Sequence, residues 1–182
     1  MIYVLLADGF EETEAIVPID VMRRGGLEVC TAGVGGTEIT GAHAIKVVTD
    51  VDVNDIDKED VEGIILPGGM PGTLNLQKDC KVGEFISYCN ENELLIAAIC
   101  AAPMILGELN MLCGREATCF PGFEEHLLGA EVCDCSVVVS DNIITARGAG
   151  AALEFGSSIV DYFSGENGVG DEILTQMQYP FV

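Results

Sequence analysis

Apolar residues along the chain fall into two patterns that alternate from the amino terminus onwards. Continuous apolar runs of about four to eight residues are typical of strands buried on both faces, and stripes at helical spacing indicate helices. The runs predict strands at Ile2–Ala7, Leu27–Ala32, Gly63–Leu66, Leu94–Ile99, Ser136–Ser140 and Asn142–Thr145, and a hairpin made of Glu38–Thr40 and Ile45–Thr49. A tight turn is predicted at Asp141-Asn142.

The segment Glu11–Arg24 carries the end signals of a helix. It has acids in its first turn, two arginines in its last turn and a glycine pair directly after it, as the helix dipole and C-capping favour. Pro18 lies inside this pattern and is expected to bend the helix or to delay its regular start. Further helices are predicted at Lys81–Tyr88, Ala101–Leu109 and Gly150–Phe163, the last of these being the final long helix.

Strands separated by helices of this length predict an α/β fold with one mostly parallel, right-handed sheet and helices on both faces. No linker, repeat or low-complexity block divides the chain, so a single domain over residues 1–182 is expected. In such sheets the functional residues lie beyond the carboxyl ends of the strands. This rule selects four segments, Asp8–Glu14, Pro67–Gly72, Cys100–Pro103 and Arg147–Gly150.

The charge of the chain excludes several classes of partner. The 182 residues include 30 Asp and Glu against 8 Lys and Arg, a net charge of −22, while 49% of them are hydrophobic. The apolar fraction supports a folded core and argues against disorder. So acidic a surface is poorly suited to the phosphates of nucleic acid or to an anionic membrane. With no basic leader and no apolar run near the roughly 20 residues of a membrane helix, a cytoplasmic protein is expected.

The cysteine pattern does not indicate a zinc site. The eight cysteines are Cys30, Cys80, Cys89, Cys100, Cys113, Cys119, Cys133 and Cys135. No CxxC pair occurs and only two histidines are present, so no zinc or other metal site is expected and most thiols should be reduced. Cys133-Asp134-Cys135 by itself is a weak signal for metal binding or redox chemistry.

The junction at Cys100 has the pattern of a nucleophile elbow. A buried strand runs into a helix there, and the residues two before and two after the cysteine are both alanine, as a sharp strand–turn–helix bend requires. A thiol at a helix N-terminus is expected to have a lowered pKa, and the N–H groups there can hold an oxyanion. The alternative is a buried small apolar residue, the interpretation preferred for Cys30, Cys89 and Cys119.

Two other segments gain meaning beside this cysteine. Pro67-Gly68-Gly69 ends a neighbouring strand, and its glycines allow backbone N–H groups to approach a bound group; a plain turn is the alternative. Glu11 and Glu14 share one face of the first helix, so one of them can point into the site while Glu12 is solvated. The alternative is a set of ordinary capping acids.

Five segments occur together in an order and spacing that match one known family. They are Glu11–Glu14, Pro18–Gly26, Leu66–Gly69, Ala97–Pro103 and Thr145–Gly150. The chain thereby resembles the ThiJ/PfpI superfamily, and within it the branch of the Parkinsonism-associated protein deglycase and its bacterial relatives. The resemblance covers nearly the whole chain and implies a flavodoxin-like sandwich, in agreement with the strand and helix pattern.

The resemblance also implies roles for individual residues. Cys100 corresponds to the reactive, oxidation-sensitive nucleophile, and Glu14 to the acid that hydrogen-bonds to its thiol. The backbone N–H groups of Gly69 and Ala101 correspond to an oxyanion-stabilising pair. The resemblance further places Glu11, Gly68, Phe120 and Arg147 in the pocket, and Arg24 in a homodimer interface formed by the first helix.

The sequence departs from the family pattern at several positions. Ala101 stands where peptidases of the superfamily have histidine, so peptidase activity is disfavoured. Phe120 stands where the human-type branch has a histidine near the cysteine. His126 could substitute for it, although a surface histidine beside acids is the preferred interpretation. Another pocket arginine of the human-type branch is His43 here, which makes a less cationic pocket.

The leading hypothesis from the resemblance is a cofactor-free enzyme acting on methylglyoxal-like α-oxoaldehydes or on their early adducts with amines and thiols. The main alternative is an oxidative-stress sensor or chaperone that works through oxidation of Cys100. A role in thiamine thiazole phosphate metabolism is a third alternative. It is disfavoured because the chain has no G-x-x-x-x-G-K-S/T phosphate loop and few cations.

Overall fold

A seven-stranded sheet forms the centre of the molecule in a computed structural model that describes residues 1–180. The last two residues of the predicted domain, Phe181 and Val182, lie outside the described residues. The strands are β1 (Ile2–Ala7), β2 (Val29–Val34), β3 (Glu38–Thr40), β4 (Lys46–Val48), β5 (Val51–Asp52), β6 (Gly63–Leu66), β7 (Leu95–Ile99), β8 (Glu116–Ala117), β9 (Glu131–Val132), β10 (Val137–Ser140) and β11 (Ile143–Ala146). The helices are α1 (Glu12–Arg24), α2 (Gly72–Lys78), α3 (Cys80–Glu91), α4 (Pro103–Glu108), α5 (Ala152–Ser164) and α6 (Val169–Gln176).

The strand order of the central sheet is β10-β11-β7-β6-β1-β2-β5. Every neighbouring pair is parallel except β10 and β11, which pair antiparallel. The register aligns the carboxyl ends of the inner strands, with Leu66 opposite Ala98 and Ile99 opposite Ala146. The turns that follow β1, β6, β7 and β11 therefore meet at one edge of the sheet.

The two faces of the sheet bury two separate cores. Side chains alternate between the faces of a strand, so Leu5 and Ile64 face the core formed with α2, α3 and α4. Val4 and Ile65 face the core formed with α1, α5 and α6. The predicted mostly parallel sheet covered by helices on both faces is confirmed. Among residues 1–180, no helix combines the length and apolar character that crossing a bilayer demands.

Helix α1 begins at Glu12, one residue after its predicted start, because Glu11 is its N-cap. The Glu11 carboxylate accepts the Glu14 N–H at 2.7 Å, which fixes the first turn. The helix then continues through Pro18 to Arg24. The delayed start expected from Pro18 is therefore wrong, since the cap sets the helix before the proline is reached.

The predicted hairpins form, while several other boundaries move. Strands β3 and β4 pair antiparallel, and Asp141 makes the β10–β11 turn in left-handed backbone. Strand β2 lies two residues later than predicted, and α2 and α6 were not predicted. Cys89 and Cys119 are buried as expected, but Cys30 is only partly buried, because the two-residue β5 pairs β2 beyond it.

Candidate active site

The predicted elbow forms at the end of β7, where Cys100 leaves the strand in left-handed backbone with a φ of +65°. Its N–H donates to the Ala146 carbonyl at 2.8 Å, and its carbonyl accepts the Phe120 N–H at 2.8 Å. A non-glycine residue in this backbone region costs free energy, and these bonds hold it there. Helix α4 begins only at Pro103, two residues later than predicted, because residues 100–102 form the turn.

Glu14 belongs to the first of the four predicted segments, and its carboxyl group contacts a residue of each of the other three. It lies in the first turn of α1 with only 1% of its surface exposed. Its Oε2 accepts the Gly68 N–H at 3.0 Å, and its carboxyl group also bonds the Ala149 N–H and the Cys100 thiol. Of the two acids on this helix face, Glu14 therefore points into the site while Glu11 caps the helix.

Glu14 and Cys100 perturb the pKa of one another. Burial, reinforced by the charge of Glu11, raises the pKa of Glu14 to about 7 against the hydrogen bonds from Cys100 and Gly68. Burial, followed by the Glu14 carboxylate, raises the pKa of the Cys100 thiol to about 12. Because they interact so closely, the two groups titrate as a pair, and the shared proton is lost only at a pH well above that of the first ionisation.

The lowered pKa expected for Cys100 from the sequence is wrong: beside an ionised Glu14 the pKa of the thiol is raised. The N–H groups of Ala101 and Gly69 both bond the sulfur and favour the thiolate. Burial and the neighbouring carboxylate outweigh them. A proton on Glu14 removes the repulsion and supplies a further hydrogen bond, so activation of the thiol depends on that proton.

The turn after β6 needs glycine at two successive positions. A Cβ on Gly68 would lie 2.6 Å from the Cys100 Cβ and 2.6 Å from the Glu14 Oε2. Gly69 has a φ of +91°, and a Cβ there would lie 2.4 Å from the Glu11 backbone nitrogen. The absence of these side chains lets the Gly69 N–H reach the sulfur.

An open cavity of about 400 Å³ adjoins the Glu14–Cys100 pair. Its lining residues are Phe120, Pro121, Ser136, Arg147, Gly148, Ala149, Gly150 and Ala151. The Phe120 ring, 47% exposed, forms one wall, and a Cβ on Gly148 would contact both this ring and the Glu14 Oε1. Phe120 and Arg147 thus line this cavity, where the Arg147 guanidinium is paired with Asp134, and their role in a reaction stays a prediction.

Neither histidine supplies the partner missing beside the thiol. The His126 imidazole pairs with Glu108 of α4 at 3.1 Å, which fits the preferred interpretation of a surface histidine. The His43 Nδ1 lies 2.9 Å from the Glu12 Oε2, and the carboxylates of Glu12 and Glu11 raise the pKa of His43.

Glu12 was expected to be solvated, and that expectation is wrong. Only 7% of its surface is exposed, because its Oε1 accepts the His43 N–H at 2.8 Å and its carboxyl also meets the Ile45 N–H. One ligand atom from each of Glu11, Glu12 and His43 lies within 4.8 Å of the others. The sequence carries no local signal for this group, since His43 is far from both acids along the chain. The expectation of no metal site stays a prediction.

Arg24 lies on the exposed side of α1, where its Nε donates to the Asp20 Oδ2 at 2.8 Å. Its bond is thus to its own helix, and dimerisation through α1 stays a prediction. The backbone of Ala149 is the main contributor that sequence reasoning did not name, although it falls inside the segment Arg147–Gly150. Its N–H bonds Glu14, a contact that depends on the fold and leaves no side-chain signal.

Comparison with known proteins finds one family over most of the chain. The family model described as the DJ-1/PfpI family matches residues 1–162. "Protein dj-1beta" of Drosophila melanogaster is 33% identical over 169 residues, which cover 91% of this chain and 90% of that protein. Its crystal structure has a TM-score of 0.92 at 30% identity and covers 99% of this chain and 98% of its own. A Caenorhabditis elegans protein named "Glutathione-independent glyoxalase DJR-1.2" is 36% identical over 157 residues, covering 85% of this chain and 83% of that protein.

Proposed function

The chain belongs to the DJ-1/PfpI family, and we propose that it is a cofactor-independent enzyme acting on methylglyoxal-like α-oxoaldehydes or on their early adducts with amines and thiols. The observation that carries this proposal is the close approach of Cys100 to the buried Glu14 carboxyl, since the Cys100 Cβ and the Glu14 Oε2 each lie 2.6 Å from the point that a Gly68 Cβ would occupy. One nucleophile and one acid–base group of pKa near neutrality are what such an isomerisation needs. The glyoxalase name of the C. elegans relative supports the same substrate class.

The reaction begins with the Cys100 sulfur, which attacks the aldehyde carbon and forms a C–S bond. The carbonyl electron pair moves to oxygen and makes an oxyanion. The N–H groups of Gly69 and Ala101, which already converge on the sulfur, stabilise this charge as it develops. Glu14 then delivers its proton to the oxygen, which gives a hemithioacetal and leaves the Glu14 carboxylate as a base.

The Glu14 carboxylate next removes the hydrogen of the carbon bonded to sulfur and returns that proton to the adjacent carbon. As the hydroxyl proton of the first carbon passes to the ketone oxygen, this transfer oxidises the first carbon to a thioester and reduces the ketone to an alcohol, so no external oxidant or cofactor is consumed. Water then hydrolyses the thioester, which releases the 2-hydroxy acid and regenerates the shared proton of the pair. For methylglyoxal the product is lactate.

Substitution of the nucleophile tests this proposal. Cys100→Ser should remove lactate formation from methylglyoxal, because a serine hydroxyl beside Glu14 is a far weaker nucleophile. Cys113→Ser, which changes an exposed thiol, should keep wild-type turnover. Lactate formation by Cys100→Ser at the wild-type rate would exclude the mechanism.

Oxidation of Cys100 is a second candidate function, and the position of Glu14 favours it as well. With a pKa of about 7, the Glu14 carboxyl can keep a proton and donate it to the oxygens of a sulfinate. Mild peroxide should then add two oxygens, about 32 Da, to Cys100 alone. Such a product in a protein that leaves methylglyoxal unchanged would favour the sensor over the enzyme.

A further inference from the structure

A second pair of thiols lies away from the Glu14–Cys100 pair, in the loop between β9 and β10. The thiol and the backbone N–H of Cys135 both lie beside the Cys133 side chain, and burial together with the Cys135 thiol raises the pKa of Cys133 to about 11. Cys135 is exposed to solvent and Cys133 is partly buried, and both are free thiols. Two thiols that are neighbours in one loop, one of them open to solvent, are the starting geometry for a disulfide.

The backbone on either side of this pair is anchored to one neighbouring segment. The Cys133 N–H donates to the Ala117 carbonyl at 3.0 Å, and the Thr118 hydroxyl donates to the Cys135 carbonyl at 3.0 Å. These bonds hold the two cysteines against Ala117 and Thr118, which are consecutive in the chain. Because the backbone is already ordered, closing a disulfide costs little further chain entropy. The loop needs only to tighten locally, because residues two apart in extended chain lie near the upper limit of Cα separation for a disulfide.

Asp134, between the two cysteines, links this loop to the cavity. Its carboxylate pairs with Arg147, and the Arg147 N–H donates to the Ser136 carbonyl at 2.9 Å. Both Arg147 and Ser136 line the cavity beside Phe120. The dithiol is therefore adjacent to the site of the proposed reaction without being part of its chemistry.

We propose that Cys133 and Cys135 form a redox-active dithiol that closes reversibly to a disulfide when the protein meets peroxide. The exposed Cys135 thiolate attacks one oxygen of hydrogen peroxide, which forms a sulfenic acid and releases water after protonation. The Cys133 sulfur then attacks the Cys135 sulfur and expels the sulfenic oxygen as a second water. Two thiols lose two electrons and two protons, and one peroxide becomes two waters.

The resulting disulfide should be easily reduced. It is exposed and its loop must tighten to form it, and such bonds have the higher reduction potentials of labile disulfides. A small dithiol reductant should therefore restore both thiols, whereas a sulfinate formed on Cys100 should survive that treatment. The two oxidations are thus separable in one sample.

The sequence provides a direct test of the linkage. Cleavage on the amino side of Asp residues and after Arg115 places Cys135 alone in the fragment Asp134–Ser140. The other product, Glu116–Cys133, holds Cys133 and Cys119. After peroxide treatment, alkylation of the remaining thiols and denaturation, the two fragments should stay joined under non-reducing conditions and separate on reduction.

Two matched variants assign the partner thiol. The joined fragment should form in Cys119→Ser, which keeps the proposed pair, and should be lost completely in Cys133→Ser. A joined fragment that persists in Cys133→Ser and disappears in Cys119→Ser would assign the bond to Cys119 and overturn the proposal. Separate fragments in the wild-type protein, at peroxide levels that already oxidise Cys100, would also overturn it. The experiment measures the mass of the joined fragments, so its result does not depend on whether Cys100 turns over a substrate.

Discussion

In the proposed reaction, Cys100 supplies the nucleophile and Glu14 supplies the acid and base. Neither side chain is activated alone, because the thiol beside an ionised carboxyl has its pKa raised to about 12 and the buried carboxyl has its own raised to about 7. The pair becomes reactive when its single proton lies on Glu14, which leaves a thiolate bonded by the Gly69 and Ala101 N–H groups. The cation that lines the adjoining cavity, Arg147, is paired with Asp134.

The activity should therefore rise with pH through a step near 7. Below that pH the pair carries two protons, so the sulfur is a thiol; above it one proton leaves and the thiolate form becomes accessible. The kcat/KM for methylglyoxal should climb about tenfold per pH unit below 7 and level off above it. A profile that is flat between pH 5 and 9 would contradict this interpretation.

Glu14→Gln is the matched variant for this profile. Its amide oxygen can still accept the Gly68 N–H, but the side chain no longer ionises or carries a proton between carbons. Turnover should fall by about 10²–10⁴-fold and the step near pH 7 should vanish. Glu125→Gln, at an exposed position, should leave both the rate and the profile unchanged.

The identity of these site residues could be predicted from the sequence, but the direction of the Cys100 pKa could not. A cysteine flanked at two residues by alanine marks an elbow, and the resemblance to a known family indicates Glu14. The pKa depends on burial and on a contact between residues 14 and 100, both of which exist only in the fold. The prediction also assumed a helix N-terminus at the sulfur, whereas α4 begins at Pro103.

At the scale of elements, the turn after β6 controls how closely α1 and the elbow approach. Gly68→Ala should push Glu14 and Cys100 apart, because the new methyl would lie 2.6 Å from both. Such overpacking should lower the free energy of unfolding by about 1–3 kcal/mol and weaken turnover as well. Denaturant titration and kcat/KM measure the two effects.

Gly83→Ala is the control for that substitution. Gly83 lies inside α3, and a Cβ there would have no heavy atom within 4 Å. Alanine in an open helical position should raise the free energy of unfolding by about 0.4–1 kcal/mol and leave turnover unchanged. A Gly68→Ala protein as stable and active as Gly83→Ala would show that the turn tolerates a side chain.

Six of the seven strands of the central sheet could be predicted because their apolar runs are local signals, whereas the two-residue β5 was missed and two helices depend on tertiary contacts. Helix α2 has no side-chain cap, and its Leu76 is fully buried against the sheet. Helix α6 begins where the N–H groups of Gly168 and Gly170 donate to Asp161 of α5. Short helices stabilised by such packing carry little periodicity of their own.

At the scale of the molecule, the site is formed by residues that follow four neighbouring strands of the central sheet. Glu14 follows β1, Gly68 follows β6, Cys100 follows β7, and the segment 147–149 follows β11. These strands are neighbours in space but are spread over more than a hundred positions in sequence. Contacts of such long range form late, because loop closure must precede them.

Because the site needs four strands in place, we expect the proposed activity to be lost in the same cooperative transition that unfolds the sheet. Loss of turnover and loss of secondary structure should share one midpoint in a denaturant titration, since no partly unfolded form keeps all four turns together. An activity transition at clearly lower denaturant than the circular dichroism transition would show that the site opens on its own. For the proposed enzyme, the same geometry means that the growing chain carries Cys100 well before the site is complete, and turnover should begin only when β11 takes its place beside β7.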